Sequence, residues 1–436
     1  MTMLSPPGAP PSPERVDAGG QMVDSTRPPP ATGRRMDGMD GLRGGAALAI
    51  MIGHASLLLV GPVGAEAVVG KLTAILLQSL TLFFALSGFL LYGPWVAAIM
   101  RGRAAPQIPT YIRNHILRIY PAHTFVLIAA AIIGITVKTT DGPAPIGGHP
   151  SQFGHLTDPV TFLANLFLVQ GWFPSTIFTG LGVSWSLITE FTFYLVLPFL
   201  GLLGVWLARR LPPLVAALLP PLLMLVACSI SRYAYSSYVS GSGRSVEELH
   251  SGSTWAAVWY RSIAVQGDLI AFGMIAVVLV SAHAAVGDRR TAHTRRAAWA
   301  VLLAGLVGIL ATRGTDWISV ATGVTCLGLL VVLRLPHPPR HVGAMVRVLE
   351  SPLFRLTGEW SYSVYLWHFV VIWFFRLHVD AATYTTLGGW AVSMVMVCVP
   401  TLILGALGFR FIEAPAMRRK HSSTPAAEPA RPADRP

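Results

Sequence analysis

The chain has 436 residues, of which 53% are hydrophobic and only 12% are charged, and its mean hydropathy is +0.58. A soluble domain carries about twice that charged fraction, so the composition excludes an ordinary soluble protein and favours one whose surroundings are the lipid bilayer. The net charge of +12 would suit nucleic acid, but the basic residues cluster between apolar runs as juxtamembrane charges do, which excludes a nucleic-acid partner.

Both ends of the chain are polar. Residues 1–38 are rich in Pro, Gly, Ser and Arg and hold no apolar stretch, which predicts a disordered tail and not a signal peptide. Residues 416–436 predict a second disordered tail. Between them, residues 39–415 are expected to form one all-α transmembrane domain. The three cysteines lie in apolar runs without CxxC spacing, so we expect neither disulfides nor a metal site.

Repeated apolar runs of about 20 residues predict a polytopic integral membrane bundle of about ten transmembrane helices. These lie at residues 41–62, 72–98, 116–136, 183–206, 212–231, 262–283, 296–312, 316–334, 360–378 and 387–410. The shorter run 160–173 is interrupted by Asn165 and Gln170, so we expect it to be re-entrant or to lie at the membrane interface.

The basic residues orient this bundle. With the N-terminus in the cytoplasm, 25 of the 32 Lys and Arg residues fall in cytoplasmic segments and seven in the others. Such an asymmetry follows the positive-inside rule and predicts a cell-membrane protein with both termini cytoplasmic. The longest outer loops, 137–182 and 232–261, are rich in polar and aromatic residues. Such loops suit sugar rings, although ordinary interfacial loops have the same composition.

The first predicted helix carries two ionisable residues, Arg43 and His54. At 1.5 Å and 100° per residue, positions i and i+11 lie about 20° apart and ~16 Å along the axis. Gly44 and other small residues on this face leave room for a ligand or a close neighbour. Arg43 is either a snorkelling anchor or a functional cation, and His54 is either a core histidine or a general base. An ionisable residue deep in a membrane is a functional candidate by default.

Glu190 lies seven residues into the fourth predicted helix, at a depth comparable to that of His54. A buried carboxylate needs a partner, and His54 is the nearest sensible one, which would orient the base. Pairing with Arg261 or binding of a transported proton are the alternatives.

Four further residues are secondary candidates. Ser87 lies mid-helix beside Gly88, where helix packing explains the pair as well as chemistry does. Ser186 precedes Glu190 on the same helix, and Tyr365 and His368 lie on the ninth. An aromatic belt accounts for the tyrosine more readily than for the histidine.

Taken together, these segments resemble the acyltransferase-3 family of membrane acyltransferases. The matching stretches, in the family's order, are DGLRGGAALAIMIGH, FFALSGFLL, HILRIYPAH, SWSLITEFTFYLVLP, GEWSYSVYLWH and FIEAP, within residues 40–415. The resemblance implies O-acylation: transfer of an acetyl or other short acyl group from a cytoplasmic acyl-CoA donor, without a metal. The acceptor would be a hydroxyl of a carbohydrate in a cell-envelope glycan, a glycolipid or a glycosylated metabolite.

Carried onto this chain, the resemblance implies that His54 is catalytic, either as a general base or as a transient carrier of the acyl group, and that Arg43 is its donor-side partner. Arg113 and Arg118 stand where the family often has a paired basic motif, and with Arg43 they are expected to bind the phosphates of the acyl-CoA donor. His115 departs from that motif, because it occupies the position three before Arg118. Many relatives also carry an extracytoplasmic hydrolase-like domain. This chain is expected to need a partner protein for any such second transfer step.

A proton-coupled secondary transporter or lipid flippase is the competing class, because intramembrane His and Glu form proton relays. Such folds often contain inverted repeats with interrupted helices. We find no matching pair of interrupted helices in the two halves of the sequence.

Overall fold

The computed structural model describes residues 38–60, 66–139, 149–286, 291–336, 340–379 and 386–421. Its helices are α1 Met39–Ala55, α2 Glu66–Leu77, α3 Ser79–Arg101, α4 Ile108–Ile132, α5 Pro159–Leu166, α6 Trp185–Leu207, α7 Pro213–Gly241, α8 Val246–Ser251, α9 Trp255–Arg261, α10 Ile263–Val286, α11 Thr291–Ala311, α12 Ile318–Arg334, α13 Arg340–Leu349, α14 Pro352–Glu359, α15 Ser361–His378, α16 Leu387–Gly408 and α17 Ala414–His421. Two short antiparallel strands, β1 Thr136–Val137 and β2 Phe153–Gly154, pair in the loop after α4.

The polytopic all-α prediction is confirmed. In the described residues, eight helical segments are long and apolar enough to cross a membrane: Met39–Leu59, Gly70–Arg101, Ile108–Ile132, Gly182–Leu207, Pro213–Gly241, Trp255–Ala284, Thr291–Ala311 and Gly388–Arg419. The other two predicted spans are also helices. However, α12 is shorter, and α15 carries Arg376 and two histidines, so neither joins that set.

Several boundaries differ from the prediction. Helix α4 begins eight residues early, at Ile108, because Pro109 suits a first helical turn. Helix α7 continues ten residues past 231 and takes in Arg232, which the sequence analysis assigned to an outer loop. Run 160–173 forms only the short helix α5 and a following turn. Helices α13 and α14 are amphipathic and were not predicted from apolar runs.

The two predicted tails fall mostly outside the described residues. The N-terminal tail, 1–38, contributes only Gly38 to them. Residues 416–421 of the C-terminal tail belong to α17, which follows a π-helical turn at Phe409–Glu413. A second π-helical turn, Ser56–Val60, continues α1 directly after Ala55.

Glycines allow α1 to lie at backbone distance against the end of α13 and against α14. A Cβ on Gly44 would overlap the carbonyl oxygen of Phe354, and one on Gly41 would overlap that of Leu349. From the opposite side, a Cβ on Gly358 would overlap the carbonyl oxygen of Asp40. Small residues commonly permit such close approach between membrane helices. The space beside Gly44 is therefore filled by a neighbouring helix and not by a ligand.

Helices α3 and α10 cross in the same manner. Gly88 faces the carbonyl oxygen of Ile270, and Gly273 faces that of Ala85, with no room for a Cβ at either glycine. The helix-packing interpretation of Gly88 therefore agrees with the structure. The neighbouring Ser87 has a different environment, described below.

This crossing gives a first prediction. Gly88→Ala is expected to lower the free energy of unfolding by about 1–3 kcal/mol, because the added methyl group must push two backbones apart. Gly93→Ala on the same helix is the matched control, since its Cβ would lie 3.7 Å from Val277 in ordinary contact. Unfolding of the purified proteins in mixed micelles measures both. Equal stability of the two variants would contradict the tight crossing.

Candidate active site

Helices α1, α3, α4, α6 and α15 enclose a narrow cavity of about 60 Å³. Apolar side chains of α3 form one wall, and the remaining walls are polar. Six of the nine residues predicted for the site line this cavity: Arg43, Ser87, Arg118, Ser186, Glu190 and Tyr365. Residues from five helices far apart in sequence thus meet in one place.

Glu190 is held by two hydroxyl groups. Ser87 Oγ donates a hydrogen bond to Glu190 Oε1 at 2.5 Å, and the Tyr194 hydroxyl donates to the same oxygen at 2.6 Å. Tyr194 stands one turn after Glu190 on α6, a spacing at which helical side chains meet. The sequence analysis quoted this tyrosine within a motif but assigned it no role. Ser87 therefore contributes to the site, while Gly88 beside it packs the helix.

The predicted pairing of Glu190 with His54 is not formed. The Glu190 carboxylate instead accepts hydrogen bonds from Ser87 and Tyr194, and its charge interacts with that of Arg43. The alternative partner Arg261 lies elsewhere, with its guanidinium 4.3 Å from the centre of the Phe178 ring. Matching depth along two helices did not establish that these side chains were in contact.

Arg43 and Arg118 meet at one end of the cavity, close enough for their charges to interact with each other and with Glu190. Within the described part of the chain, neither guanidinium forms a hydrogen bond or a salt bridge with a protein group. Their N–H donors remain available in a partly enclosed space. Two such groups side by side suit an anion with several oxygen atoms, such as a phosphate.

Arg113, the third predicted donor-binding residue, lies away from this cavity. Its side chain is exposed, and its Nη2 donates a hydrogen bond of 3.1 Å to the carbonyl of Arg419 in α17. His115, which departs from the family's basic motif, is buried between the rings of Tyr111 and Tyr194, with centroids 4.2 Å and 4.3 Å away. The His115 ring therefore packs against the ring of Tyr194.

The His54 imidazole contacts a second histidine. His54 Nδ1 and His368 Nε2 are 3.0 Å apart, and the two ring planes differ by 15°. His368 is fully buried, whereas His54 is partly exposed. His368 Nδ1 in turn lies 2.5 Å from the backbone carbonyl of Tyr365. The two histidines therefore form a chain that ends on a backbone oxygen.

Tyr365 joins the histidine pair to the cavity. Its side chain lines the cavity and exchanges a 2.7 Å hydrogen bond with Ser186, while its ring lies 5.3 Å from that of His368. Helix α15 places Tyr362 near Arg43 and His368 beside His54, so α15 follows the same face of α1 over its length. Helix α15 thus extends from the Arg43 end of α1 to His54.

The sequence analysis missed two further residues. Glu413 is buried by the π-helical turn after α16 and accepts a hydrogen bond from Ser363, and its charge interacts with Arg118 and Arg43. The Tyr362 hydroxyl donates to the carbonyl of Ile119 at 2.8 Å. The FIEAP motif contained the signal for Glu413. The π-helical turn after His54 is also a feature enriched at functional sites.

The part of the chain that the structure describes contains no group of three or more His, Cys, Asp or Glu side chains able to hold a metal ion.

Comparison with known proteins agrees with the site. Residues 36–409 match the acyltransferase-3 family, described as an acyltransferase domain. The chain is 26% identical over 410 residues to the acyltransferase MdmB of Streptomyces mycarofaciens, covering 91% of this chain and 96% of that protein. A protein of Staphylococcus aureus (strain COL) that bears the name of an O-acetyltransferase, SACOL0978, is 30% identical over 93 residues.

That second match covers 21% of this chain and 14% of the staphylococcal protein. No solved structure matches the chain. The family match covers every helix that lines the cavity and both histidines, and the resemblance inferred from the motifs is confirmed. The chain belongs to the acyltransferase-3 family and is an acyltransferase with a polytopic helical membrane domain.

Proposed function

We propose that this protein is an O-acyltransferase of the cell membrane with both termini in the cytoplasm. It transfers an acetyl or other short acyl group from cytoplasmic acyl-CoA to a hydroxyl of a cell-envelope glycan, a glycolipid or a glycosylated metabolite. The names of the relatives support acyl transfer, and one of them specifies O-acetyl transfer. Transfer of labelled acetyl groups in inverted membrane vesicles tests the donor, the acceptor class and the orientation of the protein in the membrane.

One observation carries the proposal: two guanidinium groups that form no hydrogen bond or salt bridge within the described residues share a cavity with Tyr365, whose ring lies beside the His54–His368 pair. Phosphate groups of the donor would bind Arg43 and Arg118. The pantetheine arm would follow the shared face of α1 and α15 across the ~16 Å between Arg43 and His54. This arrangement places a thioester near an imidazole.

His54 then acts as the general base. Its ring takes the proton of the acceptor hydroxyl while the hydroxyl oxygen bonds to the thioester carbonyl carbon. As the carbon–sulfur bond breaks, the leaving thiolate receives that proton from His54. The products are the acyl ester and free CoA with its thiol, and the histidine returns to its starting form.

The remaining cavity residues position the donor. Ser87 and Tyr194 fix the Glu190 carboxylate, which offsets the positive charge of Arg43 before the donor binds. Without this carboxylate, two adjacent guanidinium groups would repel each other in a site poor in water. Ser186 and Tyr365 close the cavity between the donor arm and the histidine pair.

The acceptor is proposed to approach from the side of the loops around α5, α8 and α9. Exposed aromatic side chains lie in this region, including Trp172, Phe173 and Trp255. Aromatic rings with one polar edge suit both an interface and a sugar face. A second transfer step, if the acceptor requires one, would be carried out by a separate partner protein.

The proposal is tested with inverted membrane vesicles given acetyl-CoA labelled in the acetyl group. We expect label to enter an envelope glycan, glycolipid or secreted glycosylated metabolite only when the gene is present, with a mass increase of one acetyl unit in the product. Movement of a solute or lipid without any acylated product would favour the transporter class instead.

The same assay tests the donor site. Arg118→Gln is expected to raise the acetyl-CoA concentration needed for half-maximal transfer by about 10- to 150-fold, because losing one charge-assisted phosphate contact costs about 1.5–3 kcal/mol. Arg113→Gln is the matched control and should leave that concentration unchanged, since Arg113 lies outside the cavity. Equal effects of the two substitutions would place the phosphates elsewhere.

A further inference from the structure

His54 contacts a second histidine, His368, and neither of them lines the cavity, which Tyr365 separates from the pair. His368 is fully buried on α15, and its two ring nitrogens have different partners. Nδ1 faces the carbonyl oxygen of Tyr365 at 2.5 Å, and Nε2 faces His54 Nδ1 at 3.0 Å. Each contact fixes the position of one proton.

The carbonyl oxygen of Tyr365 determines whether His368 Nδ1 carries a proton. A carbonyl oxygen only accepts hydrogen bonds, so His368 Nδ1 must carry a hydrogen and donate it. An imidazolium at this fully buried position would need a carboxylate partner. The salt bridges of the described residues include none to either His368 or His54. His368 is therefore neutral, and its Nε2 carries a lone pair.

The lone pair on His368 Nε2 determines which nitrogen of His54 carries a proton. Because His368 Nε2 accepts, His54 Nδ1 must be the donor across the 3.0 Å contact. A neutral His54 that carries its hydrogen on Nδ1 has its own lone pair on Nε2. Among the described residues, His54 Nε2 has no hydrogen-bond partner. That nitrogen is free to take a proton from a substrate.

We propose that His368 is a positioning residue that fixes His54 as the Nδ1–H tautomer, with the basic Nε2 directed to the acceptor hydroxyl. The inference rests on the proposed function of His54 and goes beyond it by assigning the proton-accepting atom and the residue that selects it. When Nε2 takes the acceptor's proton, the positive charge on His54 is stabilised through the Nδ1–H bond to His368. A carboxylate has this role in hydrolase triads. Here a neutral histidine anchored to a backbone carbonyl takes it.

The variants separate this role from packing. In His368→Gln, the side-chain amide oxygen replaces Nε2 as an acceptor. In His368→Leu, the volume is similar but no acceptor remains. His283→Gln is the matched control, because His283 is a buried histidine that bonds to Thr291 at 2.9 Å far from the cavity.

Labelled acetyl transfer measures the kinetic effect. We expect His368→Leu to lower kcat about 10- to 100-fold, the usual effect of removing the partner that orients a functional histidine. The acetyl-CoA concentration for half-maximal transfer should not change, because Arg43 and Arg118 are untouched. His368→Gln should retain most of kcat, and His283→Gln all of it. Equal losses in the leucine and glutamine variants would overturn the proposal.

A second measurement does not depend on activity. Nitrogen-15 NMR of histidine-labelled protein distinguishes protonated from unprotonated ring nitrogens, and comparison with His54→Gln assigns the His54 signals. We expect a protonated Nδ1 and an unprotonated Nε2 in the wild type. An Nε2–H tautomer of His54 would overturn the proposal even if His368→Leu failed to fold.

Different results would contradict the catalytic role of His54 and the tautomer set by His368. If His54→Ala is inactive while His368→Leu keeps the wild-type kcat, only the tautomer proposal is wrong. If His54→Ala still transfers acyl groups at the wild-type rate, the proposed site itself is wrong.

Discussion

A His54→Ala protein is expected to lose acyl transfer by about 10²–10⁴-fold, the usual contribution of a general base, while remaining folded in the membrane. His54 is partly exposed and lies at the end of a contact chain, so its side chain supports little surrounding structure. Labelled transfer in vesicles, normalised to the amount of folded protein, measures the loss.

The control for this prediction is His283→Ala. That residue is also a histidine in an apolar helix and is 6% exposed, but its hydrogen-bond partner is Thr291 and not a residue of the site. It should retain activity. A wild-type rate in the His54→Ala protein would remove the imidazole from the mechanism, whatever the result for the control.

The largest effect on stability is expected at Arg232 and Asp268, which join α7 to α10 away from the cavity. Both side chains are 0% exposed. Arg232 Nε and Nη2 donate to the two carboxylate oxygens of Asp268 at 2.6 Å and 2.8 Å. Nη2 also donates to the carbonyl of Val265 at 2.9 Å. Removing one partner leaves the other charge buried and unpaired.

Arg232→Met alone or Asp268→Leu alone should therefore lower the free energy of unfolding by about 3–5 kcal/mol. The double variant should recover most of this loss, because two apolar side chains of similar volume replace a pair whose desolvation is costly. Reversible unfolding in mixed micelles, or the yield of folded protein, measures the three variants.

The exposed pair Arg244–Glu248 is the matched control. It has the same charges, but its side chains are 43% and 50% exposed, and water screens them. Arg244→Ala should change stability little. If the single and double replacements in the buried pair were equally unstable, the loss would reflect packing volume and not an unpaired charge.

The sequence predicted the number and positions of most helices because the requirement for about 20 apolar residues is local and strong. It failed where a helix is not uniformly apolar. Arg232 ended the predicted fifth helix because a lone arginine is costly in a membrane, but its partner Asp268 is 36 residues away. Helix α13 was missed because its apolar residues lie on one face only.

The site was predicted in parts. Arg43 and Glu190 were found because charged residues are rare in apolar runs, whereas Arg118 was found through the resemblance to the family. The structure brings the three into one cavity. Their partners could not be predicted in the same way. The depth of Glu190 along α6 did not show which side of the helix faces α1, and hydroxyl residues such as Tyr194 are common in membrane helices.

The His54–His368 contact shows the same limit. Both histidines were candidates, but they are 314 positions apart in sequence. Only the packing of α15 along α1 reveals that their ring nitrogens are 3.0 Å apart. An ionisable residue in an apolar run can be recognised from one sequence. The residue that it contacts depends on helix rotation and register, which apolar runs do not specify.

The glycine contacts of α1 with α13 and α14 restrict which substitutions the protein can accept. Gly41, Gly44 and Gly358 touch backbone atoms on the facing element, with Arg43 between the first two along the chain. A larger residue at any of them would move the helix that carries the arginine. These three glycines carry no functional group, but they tolerate as few other side chains as the charged position they flank. Random mutagenesis would therefore find them intolerant, although none of them contacts a substrate.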